Sequence, residues 1–389
     1  DGAIASFDRF LAELPSGVQL FSLLRAQPGL IRLFANIMGS APRLAHILSR
    51  RRRLLDVVLD PQVMGGELSG AAIDELVANA FAAARATGFG DPIQEILDTA
   101  RRIGSELAFL VGVRILAGSI SATDAGMAYA TIAERLIAAL FAEVTREMEE
   151  DHGRVAGGEA VVVAMGKLGG REMTATSDVD LILIYDFDPT VEQSDGVKPL
   201  SPPQYYARLT QRLITAISAR TAEGSLYDVD MRLRPSGQKG PVATRLSSFT
   251  NYQASEAWTW EHMALTRARV VSASPEFTTR IESIIREVLT RRRDPAITAN
   301  DVADMRRAIA QEKGETDYWD LKYASGGMVD IDFIAQYLQL VHAHDKPDIL
   351  DVSTVQVLEN AARLGVLPQS QAEILRAAAR LYHDLTQIL

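Results

Sequence analysis

Five consecutive apolar residues, Val161 to Met165, are followed by a stretch dense in glycine and then by Leu181-Ile-Leu-Ile184. Short continuous apolar runs bounded by turn residues predict strands buried on both faces. Between Ser225 and Pro235 the pattern changes to strict alternation. Tyr227, Val229, Met231 and Leu233 take one face; Asp228, Asp230, Arg232 and Arg234 take the other. That is the period of a half-buried strand. Outside this segment the period is helical. Phe7, Phe10, Leu11 and Leu14 recur at helical spacing, as do Leu20, Phe21, Leu23 and Leu24, with breaks at Pro15 and Pro28. Asp74 to Arg85, Pro92 to Leu116 and Thr123 to Glu150 read as longer amphipathic helices joined at Gly65-Gly66 and Gly88-Phe-Gly90, with Thr123 or Asp124 as the cap of the last. His152 to Gly158 reads as a linker. From Glu159 to Val271 the order is strand, glycine turn, strand, helix (Pro202 to Arg220), strand, loop, helix; from Pro275 onward the chain is helical again. The predicted class is α+β: a small mixed sheet between helical regions, divided at 1–150, 158–274 and 275–389.

The sharpest chemistry lies where the glycine turn meets the second strand. Gly166, Gly169 and Gly170 precede Ser177-Asp178-Val179-Asp180, which runs straight into the apolar strand. Side chains two apart on a strand share a face, so Asp178 and Asp180 project together. Two carboxylates that close repel unless a cation sits between them, and a hard divalent ion such as Mg2+ brings phosphate oxygens with it. Glycine lets backbone N–H groups approach phosphate closely. The plainer reading of such a pair is a solvated strand edge; the glycine turn, Ser177 and the buried strand together favour the ion. Asp230 is the candidate third carboxylate. Two acids and two arginines on one strand face are costly to bury unpaired; acids meeting metal, with Arg232 and Arg234 meeting phosphate, would resolve that. Lys167, inside the glycine turn, is a further candidate phosphate ligand.

Four ordered blocks now carry a resemblance. They are Gly166-Lys-Leu-Gly-Gly-Arg-Glu172 with Ser177-Asp-Val-Asp-Leu181, Val229-Asp-Met-Arg-Leu-Arg-Pro-Ser-Gly237, Glu256 to Arg269, and Gly326-Gly-Met-Val-Asp-Ile-Asp-Phe333. Together they resemble the catalytic core of the glutamine synthetase adenylyltransferase/adenylyl-removing family. The resemblance implies a nucleotidyltransferase core of the polymerase-beta type. It implies ATP as substrate, two Mg2+ ions on Asp178, Asp180 and Asp230, and phosphates cradled by Gly169, Gly170 and Ser177 with Lys167, Arg232 and Arg234. Family enzymes carry two such cores, one removing AMP from glutamine synthetase and one adding it. The Glu256-Ala-Trp-Thr-Trp-Glu-His262 block resembles the adding half, where the removing half tends to read Arg-x-Trp-Glu-Arg. Asp332 stands where the family usually has Glu. The expected reaction is transfer of AMP from ATP to a tyrosine hydroxyl of glutamine synthetase, with Asp230 accepting the tyrosine proton. The rival expectations are phosphorolytic removal of AMP and a non-catalytic regulatory module. Glutamine and the PII signalling protein are the implied effectors, sensed by the helical regions. Every catalytic block follows Gly158, so the first 150 residues are expected to regulate.

Composition narrows this further. Of 389 residues 47% are hydrophobic, enough for large cores, and the net charge is −10. An acidic chain lacks the Lys and Arg excess on which non-specific nucleic-acid binding rests. Cysteine is absent, which removes disulfides and thiolate zinc sites and suits a reducing cytoplasm. No charge-free apolar run approaches the ~18 residues of a membrane span. The chain begins at Asp1 and ends at Leu389 within a helical pattern, as a piece of a longer protein would. Three lesser candidates remain. Arg50 to Arg53 is a basic run, either a solvated helix face or a dock for an acidic partner. Trp258, His262, Leu265 and Arg269 would line one helical stripe, as core or with His and Arg reaching the nucleotide. His342 and His344 have a metal-like spacing but no third ligand.

Overall fold

The computed structural model describes residues 28–41, 44, 45, 47, 48, 54, 69–86, 92–314 and 316–388. The periodic segment from Phe7 to Leu24, the joints at Gly65-Gly66 and Gly88–Gly90, and the basic run Arg50–Arg53 lie outside the described residues. The described part opens with helices α1 (Pro28–Ser40), α2 (Gly70–Ala86), α3 (Pro92–Leu116) and α4 (Ala122–His152). The start of α4 differs from the expectation. Ser121 is the cap: its hydroxyl accepts the Asp124 N–H at 3.1 Å and donates to the Asp124 carboxylate at 2.7 Å. Ser121 is the last extended residue, so only its side chain can reach back over the first turn.

Strand β1 (Glu159–Ala164) leads into a one-turn helix, α5 (Gly166–Gly169), and strand β2 (Val179–Asp186). Helix α6 (Pro202–Ser218), the two-residue strand β3 (Val229–Asp230), β4 (Ala243–Arg245), α7 (Leu246–Ser255), α8 (Thr259–Leu265) and β5 (Arg269–Ser272) complete the middle of the chain. Then come α9 (Pro275–Leu289), α10 (Pro295–Lys313), α11 (Met328–His342), α12 (Thr354–Arg363) and α13 (Gln369–Ile388). The sheet is mixed. β1 pairs antiparallel with β2 on one side and β5 on the other. The far edge of β2 carries β3 at its start and β4 further along, both parallel.

Both faces of the sheet are buried, as the continuous apolar runs require. Val162, Ala164, Leu181 and Leu183 share one core with Ile132, Leu136 and Leu140 of α4 and Leu209 and Leu213 of α6. Val161, Val163, Ile182 and Ile184 pack on the other side with Phe249, Phe277 and Ile281. The helices before residue 150 are therefore in the same core as the strands. Helix α4 is long and apolar enough to cross a membrane, but over half of its most apolar stretch is buried in this core.

Two expectations are corrected here. Ser225–Pro235 is not one strand, since only Val229 and Asp230 pair with β2. The Arg232 N–H turns back onto the Asp230 carboxylate at 2.8 Å, and Arg234 donates to the Met231 carbonyl, so the chain bends away from the sheet. The 256–269 stripe is also broken. Helix α8 is seven residues long, Trp258 caps it and is 71% exposed, and Arg269 belongs to β5. The Glu261 carboxylate, accepting the Trp258 N–H at 2.9 Å and the Tyr252 hydroxyl at 2.8 Å, fixes that start.

Candidate active site

The parallel register places Asp180 of β2 directly beside Asp230 of β3. Asp178, two residues earlier, is exposed just before the strand; Asp180 and Asp230 are half-buried. Asp180 lies on the face of β2 that carries Ile182 and Ile184, at the point where the apolar surface ends. Burial, then the charges of Asp178 and Asp230, push the Asp180 carboxyl up to about 6. The structure therefore brings the three acids into one electrostatic unit. Burial also pushes Asp230 up, but hydrogen bonds from Arg232 outweigh it and hold that carboxyl below its ordinary value. The Arg232 guanidinium meets Asp230 at 2.5 and 2.7 Å, while remaining 70% exposed. As placed, no three acidic or histidine side chains among the described residues converge tightly enough to enclose an ion.

The Gly166 backbone lies against the Asp180 carboxylate of this cluster. It sits at φ 53°, and a Cβ there would collide with the Asp180 carboxylate. The positive φ and the contact both require glycine. Lys167 follows, half-buried; burial, then the charge of Lys322, lowers its ammonium pKa. Gly169 and Gly170 are placed differently from a cradle of open N–H groups. Their N–H groups donate to the Met165 and Gly166 carbonyls, and a Cβ on Gly169 would run into the Arg267 carbonyl oxygen. The Ser177 hydroxyl accepts the Thr174 N–H at 2.9 Å and so shapes the loop before Asp178. The Arg234 guanidinium donates to the carbonyls of Met231 at 2.8 Å and Pro241 at 3.0 Å, and its charge still reaches Asp230.

The other stripe residues are occupied elsewhere. His262 donates from Nε2 to the Gln253 carbonyl at 3.1 Å and accepts from Arg293 at 3.3 Å; burial, then the Arg293 charge, lowers its pKa to about 4. His342 ends α11 and His344 faces the Thr290 carbonyl. Sequence reasoning missed Lys322, whose charge reaches both Asp180 and Lys167. It missed, too, that Glu172 and Arg267, inside two of the quoted blocks, meet in space. The blocks themselves were the available signal.

Acids at a strand edge thus meet a glycine turn that carries a half-buried lysine. Residues 31–284 match the glutamate-ammonia ligase adenylyltransferase family, and the chain belongs to that family. Residues 302–389 match the PII-uridylyltransferase family model. The chain is 60% identical to a bifunctional glutamine synthetase adenylyltransferase/adenylyl-removing enzyme of Bradyrhizobium diazoefficiens, covering 100% of this chain and 38% of the relative. Relatives of the same description from Rhodopseudomonas palustris and Xanthobacter autotrophicus are 56% and 52% identical, again over 100% of this chain and 39% of theirs. The chain thus spans about two-fifths of the length of these relatives.

Proposed function

We propose that this chain carries a nucleotidyltransferase core that moves AMP from ATP to a tyrosine hydroxyl of glutamine synthetase, releasing pyrophosphate. The observation that supports it most is the pairing of Asp180 with Asp230 on parallel strands, with Asp178 adjacent and the Asp180 carboxyl pushed up to about 6. Three carboxylates in mutual repulsion form an oxygen-only donor set that suits a hard divalent cation. Asp178, Asp180 and Asp230 would hold Mg2+, two ions on the resemblance. Such ions neutralise phosphate charge and stabilise the attacking and leaving oxygens of an in-line displacement.

The chain's own residues do the rest. Lys167 and Arg232 stand beside the acids and would hold the triphosphate. Transfer of Arg232 from Asp230 to phosphate would remove the cation that keeps Asp230 low, making it a better acceptor for the tyrosine proton. Gly166 gives Asp180 room, while Gly169 and Gly170 serve by close packing and Ser177 by shaping the loop. Arg234 fixes the bend that carries Arg232. The surrounding helices would sense glutamine and the PII protein. The direction of transfer follows the likeness of Glu256–His262 to the adding half of the family. Incubation with ATP labelled at the α-phosphate and unmodified glutamine synthetase should transfer label to tyrosine, and calorimetry should show ATP binding tightened by Mg2+. Loss of AMP from the modified protein, with no gain by the unmodified one, would reverse the assigned direction. ATP binding equal in EDTA and Mg2+ would remove the acids from the nucleotide site.

A further inference from the structure

The later residues of the glycine turn, Gly169 and Gly170, pack against a second charged cluster. Arg267, 9% exposed in its side chain, reaches Glu172 at 2.9 Å and Asp332 of α11 at 2.6 Å. Its guanidinium also donates to the Thr354 hydroxyl at the start of α12. That hydroxyl donates to Asp332 at 2.7 Å, and the Thr354 N–H donates to Glu172 at 3.1 Å. Burial pulls the Arg267 guanidinium down, but the two acids outweigh it and hold it above its ordinary value. Five groups from the turn, the segment before β5, α11 and α12 thus close on one another.

The backbone around Arg267 is fitted to the turn. Its carbonyl oxygen occupies the space that a Cβ on Gly169 would need, and Gly170 is held close to the Val352 carbonyl, two residues before Thr354. Arg269 grips the same turn from the other flank, donating to the Leu168 and Gly169 carbonyls at 3.2 and 3.3 Å while pairing with Glu134 of α4 at 2.6 Å. Gly166 and Lys167, which face the catalytic acids, are the first residues of this turn. Its own internal hydrogen bonds number little more than one helical turn's worth, too few to fix it alone.

We propose that Asp332 of α11 and Thr354 of α12, both C-terminal to the last strand, are positioning residues that act through Arg267 and Glu172 to hold Gly166 and Lys167 in register with the catalytic acids. This rests on the reading of the acid cluster as the AMP-transfer site. The C-terminal helices are then part of the active site, and a shift of α11 against α12 would reach the turn through one buried guanidinium. The carboxylate at 332 is needed for its charge and reach, so Glu can serve in its place.

The test uses the 389-residue chain carrying Asp332→Asn, Asp332→Glu or Thr354→Val, each first checked by thermal melting. Displacement of reacting groups by about 1 Å can lower turnover on the order of 100-fold. Asp332→Asn and Thr354→Val are expected to lower kcat of AMP transfer by about 10- to 100-fold, with the Kd for Mg·ATP changed less than about threefold. Hydrogen exchange at the amides of residues 166–170 should quicken in both. Asp332→Glu should recover most of kcat and of the amide protection. Wild-type kcat and protection in Asp332→Asn would overturn the proposal, as would a loss confined to melting temperature with the turn still protected. A wild-type chain that neither binds Mg·ATP nor transfers AMP would overturn the functional reading instead, and the exchange data would still report whether Asp332 holds the turn.

Discussion

Two charged clusters flank one short glycine turn, and they are built on opposite principles. The Arg267 cluster is buried and closed: one guanidinium faces two carboxylates, and a threonine fills the remaining hydrogen-bonding positions. The Asp178–Asp180–Asp230 cluster is partly open and unbalanced, with three acids and one direct arginine partner. Buried charges persist in a fold when they are paired and hydrogen-bonded. An unbalanced cluster at the surface suits a ligand that would complete it, which supports the proposed cation and phosphate site. The contrast separates a closed ion network from an open one, although the charged members of both lie within the same four sequence blocks.

Neutralising one acid on the open side should have the largest effect. Asp178→Asn or Asp180→Asn should lower AMP transfer by roughly 100- to 1,000-fold, as removal of other transition-state charge partners does, while the metal-free protein melts no lower than wild type. Near-normal turnover in either variant would sink the metal assignment. The same treatment of the closed side should do the reverse to stability. Arg267→Ala leaves Glu172 and Asp332, both half-buried, without their cation, which costs up to about 3–5 kcal/mol. A urea titration showing an unchanged midpoint would mean that the network is not closed as described.

The pH dependence sharpens the contrast further. The Asp180 carboxyl is raised in the fold, so its protonated form is favoured there. Its contribution to stability is whole below the ordinary carboxylate value and is lost as pH rises through about 6. Without metal, the stability gap between Asp180→Asn and wild type should widen in favour of the variant between pH 4 and pH 7, by at most about 3 kcal/mol. A gap that stays constant over that range would show that Asp180 is not crowded by its neighbours, and Mg2+ should narrow it.

Local periodicity was enough to reveal the buried strands at 161–165 and 181–184, the turn between them and the helical flanks from Pro92 and Pro275. Such periods depend on near neighbours alone. Asp230 was legible as a candidate because alternation holds through Val229, yet the strand's length was not: Arg232 and Arg234 bond back to their own segment, and side-chain bonding of that kind leaves no periodic trace. The 256–269 stripe failed for the same reason, since Glu261 caps a short helix and Arg269 is drawn into the sheet. Which charges are balanced emerged only from long-range packing. Glu172, Arg267, Asp332 and Thr354 are separated by up to 182 residues and still share hydrogen bonds. That packing also places helices before residue 150 in the core of the sheet. Whether a charge is paired depends on what the fold brings within about 4 Å, a distance that sequence spacing does not encode beyond a strand pair or a helical turn.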